Sequence, residues 1–309
     1  MAWLGVEIGG TKLQAAVVDD GGTVTAIRRT QVDATAGAAA VRDALAVMLA
    51  QVLVAVSTPP RAVGIGFGGP VDRGRGVVVA CHQVAGWTGF PLAAWLGDHL
   101  GLPVALENDS NAAAFAEAVV GAGRWYNAVV YSNVGSGVGA GLVLDGRVYH
   151  GRVPGEMELG HLRLSADGPT VEDVVSGWSL DRQVRMAVER DPRGGLAAVV
   201  AGGHPSARHL SQAITAGDPE AAAILDRAAR HYALGLSHVV HLLNPDVIVL
   251  GGGVADIGEP WRAAVERHLA EFVLEALRPP PPVRRAALGD EVVPIGAALV
   301  AARSNSDRR

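Results

Sequence analysis

The tightest constraint on this chain is a repeat. Residues 8–19 and 134–145 align without gaps at an offset of 126. Ile8 meets Val134, Gly9 meets Gly135, Val17 meets Val143 and Asp19 meets Asp145. Each copy reads as a strand, a glycine-rich turn, a second strand and an Asp-containing turn. A hairpin cannot bury its apolar face alone. Two copies therefore predict a duplicated core, two similar lobes with a central cleft between them. Elsewhere, short strands at 63–67, 104–106 and 247–250 alternate with helical stretches at 36–57, 91–100, 111–120 and 218–243. That alternation assigns the α/β class.

Composition removes several kinds of function. The single cysteine, Cys81, excludes an internal disulfide and any multi-cysteine zinc or iron–sulfur site. A net charge of −5 argues against a broad grip on nucleic acid. No uninterrupted apolar run reaches the roughly 18 residues of a membrane span, and the start of the chain shows no signal pattern. The expectation is a cytoplasmic protein without a nucleic-acid or membrane partner. Glycine is in excess, 40 of 309 residues, against an average near 7%.

The glycines fall in loops that can be tested one by one. Gly64-Ile65-Gly66-Phe67-Gly68-Gly69 fits the dinucleotide fingerprint as a string. However, Pro70-Val71-Asp72-Arg73-Gly74 follows it, where that fold needs a helix to hold the pyrophosphate. No P-loop string occurs. Gly9-Gly10-Thr11 and the run from Gly135 to Gly141 instead join strand to strand. Two equivalent turns, each with a hydroxyl beside glycines, expose backbone N–H groups suited to polyphosphate oxygens.

Taken in order, these segments resemble the ROK sugar kinases, glucokinase-like members of the actin/hexokinase/Hsp70 ATPase superfamily. Glu7-Ile8-Gly9-Gly10-Thr11-Lys12 looks like the first phosphate motif and Gly135 to Gly141 the second. Gly64 to Asp72 resembles the sugar loop, and Gly86-Trp87 with Pro91-Leu92 another landmark. Glu107-Asn108-Asp109-Ser110-Asn111-Ala112 resembles the catalytic segment, and Glu158-Leu159-Gly160-His161 the sugar-binding segment. Asn244-Pro245 through Gly253 resembles the adenosine-side strand and loop, and Pro294 to Ala298 the last helix. Three departures stand out. Glu7 replaces an Asp, Gly68 replaces a Pro and so loosens the sugar loop, and the family's cysteine-rich zinc loop is missing after Asp167-Gly168-Pro169-Thr170.

The resemblance implies a duplicated actin-like, ribonuclease H-like fold. It implies a small lobe of 1–107 plus 291–309, a large lobe of 108–290, and a homodimer. It implies ATP-dependent phosphorylation of a hexose, glucose first, with Asp109 as general base. On the residues alone, Asp109 reads equally as the N-cap of the helix after it. Gly69, Asn108, Asp109, Glu158, His161 and Glu172 would contact sugar. Glu7, Gly9, Gly10, Thr11, Gly135, Ser136, Gly137, Gly251, Gly252 and Gly253 would face ATP, with Mg²⁺ near Glu7 and no structural zinc. Lys12 is read as solvated and left out of the site. His231, His238 and His241 share one helix without an acid or cysteine partner, and are read as non-metal residues. Fructose, mannose, allose or an N-acetylhexosamine as acceptor, polyphosphate as donor, and a non-catalytic sugar sensor remain open alternatives.

Overall fold

A computed structural model describes residues 1–306 apart from 82 and 156. The first sheet has the order β3-β2-β1-β4-β7 and the second β10-β9-β8-β11-β12. In the first, β1 (Ala2–Ile8), β2 (Lys12–Asp19) and β3 (Val24–Gln31) form an antiparallel meander. β4 (Val63–Phe67) then joins β1 in parallel. A small pair, β5 (Val71–Asp72) and β6 (Val77–Val78), stands apart, and β7 (Val104–Asn108) joins β4 in parallel. In the second, β8 (Ala128–Val134), β9 (Val138–Leu144) and β10 (Arg147–Val148) take the meander positions. β11 (Val247–Gly251) and β12 (Val283–Arg285) add in parallel. β8 begins and ends 126 residues after β1, and β9 begins 126 after β2. The repeat read from a few residues is thus a duplication of five-stranded topology.

One difference concerns β9. Sequence places residues 135–141 in a loop and a strand at 142–144, but the strand starts at Val138. Glycine normally weakens a strand unless another backbone must come close. Such an approach exists here. A Cβ on Gly141 would stand 2.8 Å from the Ala114 methyl and 3.0 Å from the Ser110 carbonyl oxygen.

Three helices pack in the first half of the chain: α1 (Gly37–Leu53), α2 (Leu92–Leu100) and α3 (Asp109–Val119). The segment Ala34–Leu53 is long and apolar enough to cross a membrane by length and composition, more than its sequence suggested. Its Val41, Leu45, Leu49 and Val52 nevertheless lie in the core with Leu4, Val6 and Ile65 of the first sheet. The second half is mostly helical. α4 (Val171–Val175), α5 (Gly177–Arg190), α6 (Gly195–Val200) and α7 (Leu210–Thr215) are short or amphipathic pieces not assigned from sequence. α8 (Pro219–Leu243) begins with Asp218 accepting from Ala221 N–H, and ends at Asn244 in left-handed conformation. α9 (Glu259–Phe272) packs on α8, and α10 (Val292–Ser306) closes the chain.

Two compact units emerge. One comprises Met1–Asn127, Gly141–Met157 and Ala287–Arg309, the other Ala128–Ala140 and Glu158–Ala286. The first unit therefore retains α3, rather than breaking at 107/108. The reason is packing: α10 returns to lie on α3, β1 and β4. Buried Glu117 on α3 reinforces this, accepting from Ala122, Ala287 and Leu288 N–H groups at 2.7–2.9 Å.

Candidate active site

Register builds the site in the first unit. Ile8, Phe67 and Asn108 are aligned across the parallel strands β1, β4 and β7. Their successors Gly9, Gly68 and Asp109 emerge together at the carboxyl ends, where open α/β sheets bind ligands. Gly68 N–H donates to Ile8 O at 2.9 Å, and Gly69 N–H to Phe67 O at 2.9 Å. The expected loosening by Gly68 is therefore overturned. A proline has no N–H to donate, so glycine adds a tie between the segment after β4 and the end of β1. Behind it, Trp87 is buried edge-on to Phe67, and the Arg42 guanidinium lies 4.4 Å above the Phe90 ring.

Asn108, not Asp109, caps α3. Its Oδ1 accepts from Ser110 N–H at 2.9 Å and Asn111 N–H at 3.1 Å, and its Nδ2 donates to Gly69 O at 3.3 Å. Both residue types suit an N-cap, so the sequence could not choose between neighbours. The consequence is chemical. Asp109 is released from the N-cap position, while the Asn108 oxygen is committed to it and, with one amide hydrogen on Gly69 O, only the other remains for a ligand. Asp109 is partly buried at the first helical position, with Oδ1 accepting from Ser110 N–H at 2.7 Å. Burial raises its pKa above the usual carboxylate range, against the Ser110 hydrogen bonds.

Glu7 is buried at the end of β1 and pairs with Lys12, which the sequence reading had left out. Lys12 Nζ lies 3.3 Å from Glu7 Oε1, and Gln14 Nε2 donates to Oε2 at 2.6 Å and to Asp290 O at 2.8 Å. Burial outweighs the lysine, and nearby Asp109 adds to it, so Glu7 is raised to about 7. Gly9 N–H closes the turn on Lys12 O at 2.9 Å. Gly10 packs beneath Gln83, and Thr11 is exposed. Mg²⁺ takes one or two carboxylates plus phosphates and keeps its waters. Glu7 with a nucleotide fits that pattern. Among the described residues no group of three His, Cys, Asp or Glu forms a cation site by itself.

Glu7 should govern stability against pH. Its unfolded value is 4.5 and its folded value about 7, so between them the folded protein holds the extra proton. Stability from this group is complete below about pH 4.5 and is lost as pH rises through about 7, some 3 kcal/mol in all. Urea unfolding at pH 5 and pH 8 checks this. Wild type should weaken across the interval, and Glu7→Gln should weaken less.

In the second unit, Gly135, Ser136 and Gly137 form the turn between β8 and β9, with Gly135 N–H donating to Gly137 O at 2.8 Å. Tyr232 OH donates to Ser132 Oγ at 2.6 Å, and Ser132 Oγ to Gly139 O at 2.9 Å, pinning the strand beyond that turn. β11 ends beside β8 in register, Gly251 against Asn133. Gly252 follows at φ 80°, where a Cβ would stand 2.5 Å from Val134 O, so glycine is required. Gly253 opens a short 3₁₀ turn. Glu172 Oε2 accepts from Val138 N–H at 2.8 Å, tying α4 to the turn and leaving Oε1 for a ligand. Glu158 precedes the 3₁₀ turn Leu159–His161 and His161 ends it, their exposed side chains 3.8 Å apart. Ahead of α4, Arg163 and Thr170 form a β-bridge, and a Thr170–Asp173 capping box opens the helix.

Both sheets thus end in glycine turns at equivalent places, and residues 3–304 match the ROK family. The chain belongs to the ROK family. A glucokinase of Streptomyces coelicolor is 32% identical over 96% of each chain. An N-acetylmannosamine kinase of Citrobacter koseri is 31% identical over 88% of this chain and 89% of its own. The crystal structure of a ROK family glucokinase from Streptomyces griseus, in complex with glucose and AMPPNP, superposes with a TM-score of 0.89 at 30% identity. It covers 98% of this chain and 100% of that one. The fold of this ROK protein is accordingly the duplicated actin-like α/β fold.

Proposed function

We propose that this ROK sugar kinase transfers the γ-phosphoryl group of ATP to the 6-hydroxyl of glucose. The observation that carries the reading is the release of Asp109 from capping by Asn108, at the strand ends where the glycine turn also emerges. Asp109 accepts the proton of the hydroxyl as its oxygen bonds to the γ-phosphorus and the bond to the bridging oxygen of ADP breaks. Gly9 and Gly135 N–H close their turns, the backbone N–H groups of Gly10, Thr11, Ser136 and Gly137 bind phosphate oxygens, and Gly251 to Gly253 lie on the adenosine side. Mg²⁺, held by Glu7 when ATP binds, supplies charge neutralisation on the phosphates. Gly69, Asn108, Glu158, His161 and Glu172 orient the sugar hydroxyls. The N-acetylmannosamine kinase relative supports an N-acetylhexosamine as the second acceptor to try.

The test is ADP release over a panel of glucose, mannose, fructose, allose and N-acetylmannosamine, with ATP or polyphosphate as donor. Glucose with ATP is expected to give the highest kcat/KM. A higher value for N-acetylmannosamine would reassign the acceptor. Sugar binding without turnover of any member would replace the kinase by a sensor.

A further inference from the structure

Glu107, the residue before the Asn108–Asp109 pair, is a carboxylate almost wholly buried at the end of β7. Its Oε1 accepts from Asn108 N–H at 3.0 Å and from Asn111 Nδ2 at 3.2 Å. These two bonds grip the turn from which the Asn108 cap and Asp109 project. The other oxygen, Oε2, lies 2.7 Å from Nε2 of His150. His150 is distant in sequence, following β10 in a segment anchored by Tyr149 N–H to Leu142 O at 2.8 Å. A carboxylate can only accept, so the proton in this contact sits on Nε2.

We propose that His150 is a positioning residue for phosphoryl transfer, its Nε2–H locking Glu107 and through it the Asn108–Asp109 turn. The inference rests on Asp109 as the base. A buried carboxylate that loses a donor is costly to leave bare. Without His150, the Glu107 side chain turns to find another donor, and its hold on Asn108 N–H and Asn111 goes with it. Second-layer hydrogen bonds of this kind fix the orientation of the groups they support, and small misplacements of a reacting group lower rate more than binding. No local sequence signal pairs the two residues. Only the topology of the first unit joins them.

Two variants of the full chain test this. His150→Ala removes the donor. His150→Gln places an amide N–H where Nε2–H was. Expected for His150→Ala is a kcat at least about ten-fold lower with the hexose KM within about three-fold. His150→Gln should recover kcat to within about three-fold of wild type. Hydrogen exchange without substrates gives an arm independent of turnover. The Ser110 and Asn111 amides, which donate to Asn108 Oδ1, should exchange about ten-fold faster in His150→Ala. They should return to wild-type rates in His150→Gln, with β8 unchanged in both. Wild-type kcat and exchange in His150→Ala, or equal impairment of the two variants, overturns the proposal. If wild type phosphorylates no hexose, the kinase reading fails, and exchange alone decides the positioning role.

Discussion

Asp109→Asn should fold, melt at or above the wild-type temperature at pH 8, and lose on the order of 10²–10⁴ in kcat. The two halves of that result have separate causes. The helix keeps its cap, because Asn108 supplies it. An Asn side-chain oxygen can still accept from Ser110 N–H. The ionised Asp109 gains at the positive end of α3, by about 0.3–1 kcal/mol. Burial acts the other way, holding its pKa above the ordinary value, and Glu7 is a second negative charge close by. Replacing the carboxylate therefore relieves strain that function requires. Steady-state kinetics with glucose and ATP, beside a melting curve, would read both effects. Near-full turnover removes Asp109 as the base, and a collapse in melting temperature makes it structural after all.

The largest structural effect should come from a glycine outside the two hairpin turns. A Cβ on Gly64 of β4 would stand 1.7 Å from Ala297 O in α10. Gly5 on β1 meets Pro294 O at 1.8 Å in the same sense, and Gly296 on α10 meets Ala112 O at 1.8 Å. Each obstacle is backbone, which cannot rotate away. Gly64→Ala should cost about 3 kcal/mol or more, and Gly64→Val should leave no soluble folded protein. The contrast is Gly135→Ala. Nothing lies within 4 Å of its added methyl, so stability should stay within about 0.5 kcal/mol. The methyl would instead crowd the phosphates and raise the KM for ATP. Urea unfolding and ATP titration separate the two glycines. Equal stability of Gly64→Ala and wild type would refute this account of how α10 is seated.

The sequence disclosed what is local and periodic. β4 matches its expected span, and β1 and β8 stand at the offset that residues 8 and 134 suggested. α8 stops at Asn244 because a left-handed residue before proline is a local signal. What stayed hidden depends on partners far along the chain. The start of β9 is masked by glycines, one of which, Gly141, serves a close approach to α3. α9 was missed although Gly258 and Pro260 mark its start, a cue that could have found it. Lys12 gains a role only because Glu7 is buried beside it. The assignment of the cap to Asn108 rather than Asp109 needed backbone angles that adjacent capping residues do not reveal.

The glycine-lined seat of α10 has a consequence for how the protein is made. β1 leaves the ribosome well before α10, yet the surface around Gly5 and Gly64 is covered by residues 294–297. The first sheet must therefore wait, with one face bare, until α10 has been synthesised. Contacts so far apart in sequence form slowly and leave apolar surface open to aggregation meanwhile. Synthesis halted before residue 292 would yield a chain whose second-unit segments are all present, but whose first sheet lacks the helix that covers it.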